Sequence, residues 1–452
     1  MKIKKFVPYV FAIFCTAVYL SLVFNNNVWL DEAFSASIIR CSFSEMISRT
    51  FADTLPPFYN ISAWFFTRLL GFSTITLKVY SVIPMALLML AAAFYIPKIE
   101  SCTTACFYMA MITVMPHFLE HGTEIRMYSW AILFSSLTAV FACCMIKGMP
   151  HSEIGLIICT VLGAYTHQYA LIAESFVWLM LLILSVRHKS LKKWLKNAVI
   201  CVLLYIPCAI LTFFQVKRAT SYFTASPADA KSLMASLRYP FVTNITVLSA
   251  ILMTFVILLF VFSCTVKMYI SAYYMLIYVL TATLSFGIMI VTDSSFFTSR
   301  YLMPSFGILW LGAAMALGKL LTENRHIYFV SIPIMLSVFL AVYIQQFRME
   351  YVDMSGFESF IASTGPDDAY VIYEDYPEVE ICLQYYAPWL KSYDINGLDS
   401  VKGKKYAFFN GDVHVDDIEK IKNGNYDLRY IENLNFDRYT FRAYELIGGK
   451  SD

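Results

Sequence analysis

Four short clusters hold the residues of this chain whose types and spacing could do chemistry. The first is Asp31-Glu32, two adjacent carboxylates in NNNVWLDEAFSAS, directly after the first long apolar run. Neighbouring residues on a helix point about 100° apart, so the two acids cannot share one task. One can face a cavity while the other braces the backbone or a cation. Asp53 and the turn LPPFY, ending in Tyr59, follow in the same segment. The second cluster is EHGTEIRMYSW, with Glu120, His121, Glu124, Arg126 and Tyr128. The third is AYTHQYAL, where His167 stands between Tyr165 and Tyr169. The fourth is TDSSFFTSRYLMP, with Asp293, Arg300 and Tyr301.

Each cluster also has a plain structural reading. Asp31 and Glu32 could mark a charged stop to the apolar run. Glu124 and Arg126 could pair to close a hairpin. His167 could be a satisfied structural residue, and Arg300 could snorkel to a membrane surface. What favours chemistry is their combination. Carboxylates can take a proton from a hydroxyl. Guanidinium groups hold phosphate through two parallel charge-assisted hydrogen bonds. Together they suit a reaction at a phosphate-bearing lipid.

The composition dictates what must position these groups. The chain has 452 residues, of which 59% are hydrophobic, 17% aromatic and only 15% charged. Mean hydropathy is +0.61. A soluble chain carries about 25% charged residues, so lipid must be the main solvent here. The net charge of +2 is uninformative in a membrane protein, where the placement of charges matters, and no nucleic-acid partner is expected. Eleven apolar runs qualify as spans: 5–24, 77–97, 102–119, 127–146, 152–169, 172–187, 196–214, 244–266, 270–291, 301–319 and 326–346. The fifth and sixth are short and could form one re-entrant pair. MKIKK ahead of the first run, with no small-residue cleavage site after it, reads as an uncleaved signal anchor.

Lys and Arg set the orientation. They crowd MKIKK, PKIES, RHKSLKKWLK and KLLTENRH, which fall on one side when the spans alternate. The N-terminus is therefore expected in the cytoplasm of a multi-pass cell-membrane protein. All four clusters then fall on the outer face, with Lys217 and Arg218 in a further outer loop. Residues 1–346 form the expected transmembrane domain, including a first outer loop at 25–76. That loop carries two helix signals: Ser42 with Glu45 in capping-box spacing, and a Pro-started helix closed by Gly71. Residues 347–452 have soluble composition. DAYVIYED, KKYAFFNG, YDLRYIENL and RYTFRAYELI read as strands, PEVEICLQYYAPW and HVDDIEKIKNG as helices, giving a small extracytoplasmic α/β domain. Nine of the eleven cysteines sit in apolar runs, with Cys41 and Cys382 outside them, and read as inert thiols.

The order of these motifs resembles the GT-C glycosyltransferase superfamily: an acidic pair after the first span, D-x-x-P-P-x-Y, E-x-R-x-Y, Y-T-H, and R-Y at a late span. The nearest resemblance is to bacterial protein O-mannosyltransferase and aminoarabinose transferase members, and it covers the whole chain. It implies an α-helical polytopic membrane protein with the GT-C fold. It implies sugar transfer from a polyprenyl-phosphate donor to a cell-envelope hydroxyl or amine at the outer face. In the family the first acid of the pair is the proposed base, here Asp31, with Glu32 as the second acid. Glu124, Arg126 and Tyr128 match E-x-R-x-Y. Asp53, Tyr59, His167, Arg300 and Tyr301 are expected to bind substrate. Many relatives carry His before the two prolines, where this chain has Leu55. No cofactor is identified. A divalent metal on Asp31, Glu32 and Asp53 is an option, since some relatives use one with first-loop acids. The competing expectation is a transporter or flippase of lipid-linked saccharide, which should place polar residues near the bilayer midplane.

Overall fold

The structure is a computed structural model that describes residues 3–222, 229–292, 297–372, 377–393, 397–410, 421, 426–436 and 439–448. The helices in chain order are α1 (Ile3–Leu20), α2 (Leu30–Arg40), α3 (Phe43–Ala52), α4 (Phe58–Leu70), α5 (Thr74–Ile99) and α6 (Cys102–Val114). There follow α7 (Phe118–Thr123), α8 (Tyr128–Ile146), α9 (Ser152–Thr166), α10 (Gln168–Arg187), α11 (Leu191–Tyr222) and α12 (Ala230–Arg238). The series ends with α13 (Thr246–Thr265), α14 (Tyr269–Thr292), α15 (Met303–Glu323), α16 (Tyr328–Glu350), α17 (Ser355–Ala362) and α18 (Pro377–Tyr386). Five strands, β1 (Ala369–Ile372), β2 (Lys391–Ser392), β3 (Lys405–Asn410), β4 (Tyr426–Phe436) and β5 (Tyr439–Gly448), lie near the C-terminus.

Among the described residues, eight helices are long and apolar enough to cross a membrane, and shorter apolar helices occupy Phe6–Leu20, Cys102–Val114 and Ser152–Thr166. Every expected span coincides with one of these helices. Residues 152–187 form two separate helices that break at His167. A backbone in lipid must satisfy its own polar groups, which is why these apolar runs are helical. The chain is therefore a multi-pass membrane protein.

The chain divides into two compact units. The first comprises Met1–Phe24, Ser42–Phe72 and Thr76–Gln346. Its central helix is α15, which is buried over 83% of its most apolar stretch, whereas α11 is buried over only 11%. Small residues let neighbours approach α15 closely, as lipid-solvated helices require. A methyl at Gly312 would meet the Ser271 carbonyl oxygen at 2.6 Å and the Met275 nitrogen at 2.9 Å on α14. Gly307 and Gly318 face Ser136 of α8 and Thr104 of α6 in the same way.

The two helices expected between the first two spans form as the local chemistry dictates. Ser42 accepts the Glu45 amide at 3.4 Å, but Glu45 pairs its carboxylate with Arg49 on the next turn instead of completing the box. Helix α4 starts after Pro57 and ends at Gly71, whose φ of 88° suits only glycine without strain. Phe65, Leu69 and Leu70 leave a large apolar surface exposed on it, as an interfacial helix would. Asn60, part of a glycosylation-type triplet, is buried and donates to Thr50.

The second unit comprises Asn25–Cys41, Ser73–Ile75 and Phe347–Asp452. The segment between the first two spans is thus shared: α2 groups with the C-terminal residues, while α3 and α4 group with the membrane helices. The sheet order is β2-β1-β3-β5-β4. Strand β1 runs parallel to β2 and β3, and β5 pairs antiparallel with β3 and β4. Alternation along β1 turns Ala369 and Val371 toward a core with Leu398, Ala407, Phe409, Ile421, Tyr426 and Leu446. The helix expected over HVDDIEKIKNG lies outside the described residues except for Ile421, as do Asp293 and the side chain of Arg218.

Candidate active site

The polar clusters of the membrane unit are positioned by α7, a six-residue helix between α6 and α8. His117 precedes it with a left-handed φ of 70°. From there His117, Glu120, His121 and Glu124 recur at helical spacing, which puts them on one face. His117 Nδ1 meets Glu120 at 3.3 Å, and His121 Nδ1 meets Glu124 at 2.7 Å. Tyr239, in a single turn after α12, stacks on His117 with ring centroids 3.8 Å apart. Its hydroxyl reaches His121 Nε2 at 3.1 Å. Phe306 on α15 packs against Phe118, Tyr239 and Tyr278, and so fixes α7 against the central helix.

Aromatic rings carry the cluster onward. Tyr128, the first residue of α8, lies between His121 at 4.9 Å and His167 at 5.7 Å. His167 in turn faces Tyr169 and Tyr301, whose own rings are 5.5 Å apart. Two guanidinium groups share this space: both Arg126 and Arg300 act electrostatically on Tyr128 and on His167. The charge of Arg300 is also felt at His121 and Tyr239. Glu124, Arg126, Tyr128, His167, Arg300 and Tyr301 are therefore brought together from three separate sequence segments.

The protonation states follow from this environment. Burial, aided by Arg126 and Arg300, holds the His167 imidazole well below the ordinary range, so it is neutral. Its Nδ1 accepts the Tyr169 amide at 3.1 Å and caps α10, which leaves the hydrogen on Nε2. Burial opposes charge on His121 too, but Glu120 and Glu124 outweigh it and raise its pKa. Burial lowers that of His117 despite Glu120. The Tyr128 hydroxyl and His167 Nε2 are buried with no hydrogen-bond partner. A buried polar group without a partner costs roughly 1–3 kcal/mol, so these two atoms are suited to accept a hydrogen-bonding ligand. A phenol, an imidazole N–H and two guanidinium groups together have the chemistry to bind an anion.

The remaining expected residues lie elsewhere. Asp53 ends α3 and accepts the Thr54 amide at 2.7 Å. The turn that follows is pinned by Gln168, next to His167, which donates to the Thr54 carbonyl at 2.8 Å. Gln215 of α11 donates to the Leu55 carbonyl at 2.6 Å. Tyr59 is buried against Tyr80 and reaches Ser81 at 3.3 Å, packing α4 onto α5.

Asp31 and Glu32 open α2, in the C-terminal unit. Glu32 is buried and accepts the Trp29 amide at 3.2 Å, so it is the acid that braces the backbone. Sequence reasoning missed three residues: His117, Tyr239 and Lys78. The His117 signal was legible as spacing to Glu120 and His121. Tyr239 had none, being far from α7 in sequence. Lys78 is a fully buried cation in the second turn of α5, in the same unit as Arg126. A lysine so near the start of a span looks like a surface anchor in sequence.

His117, Glu120 and His121 offer metal-ligand atoms within 4.8 Å of one another. However, both ring nitrogens of His121 are already engaged, by Glu124 and Tyr239. A divalent ion needs its ligand atoms about 2 Å away, so it would have to displace those bonds. As they stand, His117 bonds Glu120, while His121 bonds Glu124 and Tyr239.

No family model matches the chain, and no curated protein matches it. Solved structures do. ArnT from Cupriavidus metallidurans in the apo state shares 10% identity over 96% of this chain and 97% of its own, with a TM-score of 0.62. The same enzyme bound to undecaprenyl phosphate gives 12% identity over the same shares, with a TM-score of 0.60. The apo oligosaccharyltransferase of Archaeoglobus fulgidus gives 11% identity over 90% of this chain and 70% of its own, with a TM-score of 0.52. At such low identity the likeness is one of architecture, and it extends over nearly the whole chain: the protein has the GT-C glycosyltransferase fold.

Proposed function

We propose that this protein is an integral-membrane glycosyltransferase that moves a sugar from a polyprenyl-phosphate donor to a hydroxyl or amine of the cell envelope. Arg126 and Arg300 hold the lipid phosphate, with Tyr128 and the His167 N–H supplying hydrogen bonds. As the bond from anomeric carbon to phosphate oxygen breaks, negative charge grows on the lipid phosphate. Fixed positive charge there stabilises the transition state. A phosphate so held needs no general acid to leave. Asp31 takes the proton of the attacking group, and direct displacement inverts the anomeric centre. Asp53 and Tyr59 support the adjoining surface. The N-terminus is cytoplasmic and the C-terminal domain extracytoplasmic.

The observation that carries this reading is the pair of guanidinium groups beside two buried polar atoms without a hydrogen-bond partner, the Tyr128 hydroxyl and His167 Nε2. The fold supports it, since the similar ArnT structure holds undecaprenyl phosphate. The site's location argues against a transporter. Glu174 is a buried acid within a span, yet it lies only two turns into α10, where Ser135 donates to it at 3.0 Å.

The test uses the purified full-length protein and a series of synthetic polyprenyl-phosphate sugars, with release of lipid phosphate as the readout. At least one donor is expected to turn over when an envelope extract supplies the acceptor. Failure of every donor both to bind and to turn over would end the reading.

A further inference from the structure

Two consecutive residues of the C-terminal α/β unit fasten the segment that carries the acids. Tyr386, at the end of α18, donates its hydroxyl hydrogen to the Asn26 carbonyl at 2.8 Å. The same oxygen accepts the Val28 amide at 2.9 Å. Its neighbour Tyr385 is buried, and its carbonyl accepts from Arg40 at 3.1 Å, at the far end of α2. The Tyr385 ring also lies under that guanidinium, 5.0 Å away. Its hydroxyl meets Thr74, the first residue of α5, at 2.8 Å. Two asparagines finish the attachment: Asn27 donates to the Met349 carbonyl at 2.9 Å, and Asn25 to Glu350 at 3.2 Å. Both ends of α2 are therefore tied to one turn of one helix in the C-terminal domain.

We propose that Tyr385 and Tyr386 are positioning residues for Asp31. The C-terminal domain is then a working part of the transferase, because it sets where the carboxylate stands. Two residues separate Val28 from Asp31, and Glu32 stiffens the helix start between them by holding the Trp29 amide. A shift of the 26–28 backbone is thus carried into the Asp31 side chain. A misplacement of about 1 Å can cost on the order of 100-fold in rate. The phenol suits this task better than an apolar contact. One oxygen both donates and accepts, so it fixes the backbone in two directions. The ring is itself held edge-on by Phe357, 5.0 Å away.

The inference rests on Asp31 being the base, and the test separates the two. Tyr386→Phe keeps the ring and its packing and removes only the oxygen. Hydrogen–deuterium exchange on the full chain reads the attachment directly. Peptides covering residues 25–31 are expected to exchange about 5-fold faster or more, as loss of these hydrogen bonds implies, while peptides from β3 and β5 stay unchanged. In single-turnover assays, lipid-phosphate release is expected to fall about 10-fold with donor affinity within twofold. Unchanged exchange at 25–31 would overturn the attachment. Faster exchange with wild-type turnover would overturn the positioning role. Tyr385→Phe, which loses the Thr74 bond, is expected to give a smaller rise in exchange, and an effect on donor affinity instead of turnover would also count against positioning. If Asp31→Asn turns over normally while Tyr386→Phe loosens the segment and slows transfer, the base assignment fails and a different group on α2 is the one positioned.

Discussion

The acids and the cations of this protein are held by different kinds of structure. In the C-terminal unit, the segment bearing Asp31 and Glu32 is fixed by directional hydrogen bonds from Tyr386, Asn27 and Asn25 to backbone and side-chain oxygens and an amide. In the membrane unit, the surroundings of Arg126 and Arg300 are fixed by ring packing: Tyr239 on His117, Tyr128 by His121 and His167, and Phe306 behind them. The difference follows from solvent. A segment rich in polar side chains between apolar helices is placed by polar bonds, even where it is buried. Within a lipid-solvated bundle, helices that are apolar on all sides leave shape and ring geometry to do the placing. Stiffness in one unit and shape in the other should therefore fail in different ways.

The largest effect is expected at the acid. Asp31→Asn keeps the size of the side chain and removes the base, so turnover should fall by about 10²–10⁴ while donor binding is kept. Equal turnover would take Asp31 out of the role. The cations should behave in the opposite sense. Arg126→Ala and Arg300→Ala should each weaken donor binding by about 10–100-fold, the range of a lost hydrogen bond to a charged group. Arg126→Lys keeps the charge but loses the planar fork, and should recover only part of the affinity. Normal binding in both alanine variants would place the phosphate elsewhere.

A packing change should distinguish the units further. Gly312→Leu drives a side chain into the backbone of α14 and should cost about 1–3 kcal/mol. Melting temperature and donor affinity should fall, while exchange at residues 25–31 stays as in the wild type.

The smallest effect concerns His167. Its folded pKa is depressed, so the fold favours the neutral ring, whereas the unfolded chain takes up a proton below the ordinary histidine value of about 6.5. Stability from this residue is present above that pH and is lost as pH falls through it, by at most about 1.4 kcal/mol per pH unit. His167→Asn should flatten the acid side of the melting-temperature profile by that component. An unchanged slope would show that the ring is not held neutral.

Much of the fold could be read from the sequence because the signals are local. An apolar run long enough to cross lipid has little choice but to be a helix, and Gly71 and Ser42 mark their helix ends by rules that act over a few residues. The strands over 369–372, 405–410, 426–436 and 439–448 follow equally local alternation. The candidate site was legible in part. Residue type and shared sidedness picked out Glu124, Arg126, Tyr128, His167, Arg300 and Tyr301, because charge near a membrane edge is costly and so stands out. Tyr59 looked the same in sequence, yet it packs α4 onto α5. Nothing in a sequence shows which side of a helix a neighbour covers.

By itself, then, the sequence determined the solvent of this protein, the positions of its membrane helices and the short list of residues able to do chemistry. Only the tertiary structure decided that Tyr239 completes the histidine pair, that Lys78 is buried, and that α2 belongs with residues 347–452. The physical reason is range. Hydropathy and capping act between residues a few positions apart, whereas the contacts from His121 to Tyr239 and from Val28 to Tyr386 join residues 118 and 358 positions apart, and only the packed chain brings such residues within reach.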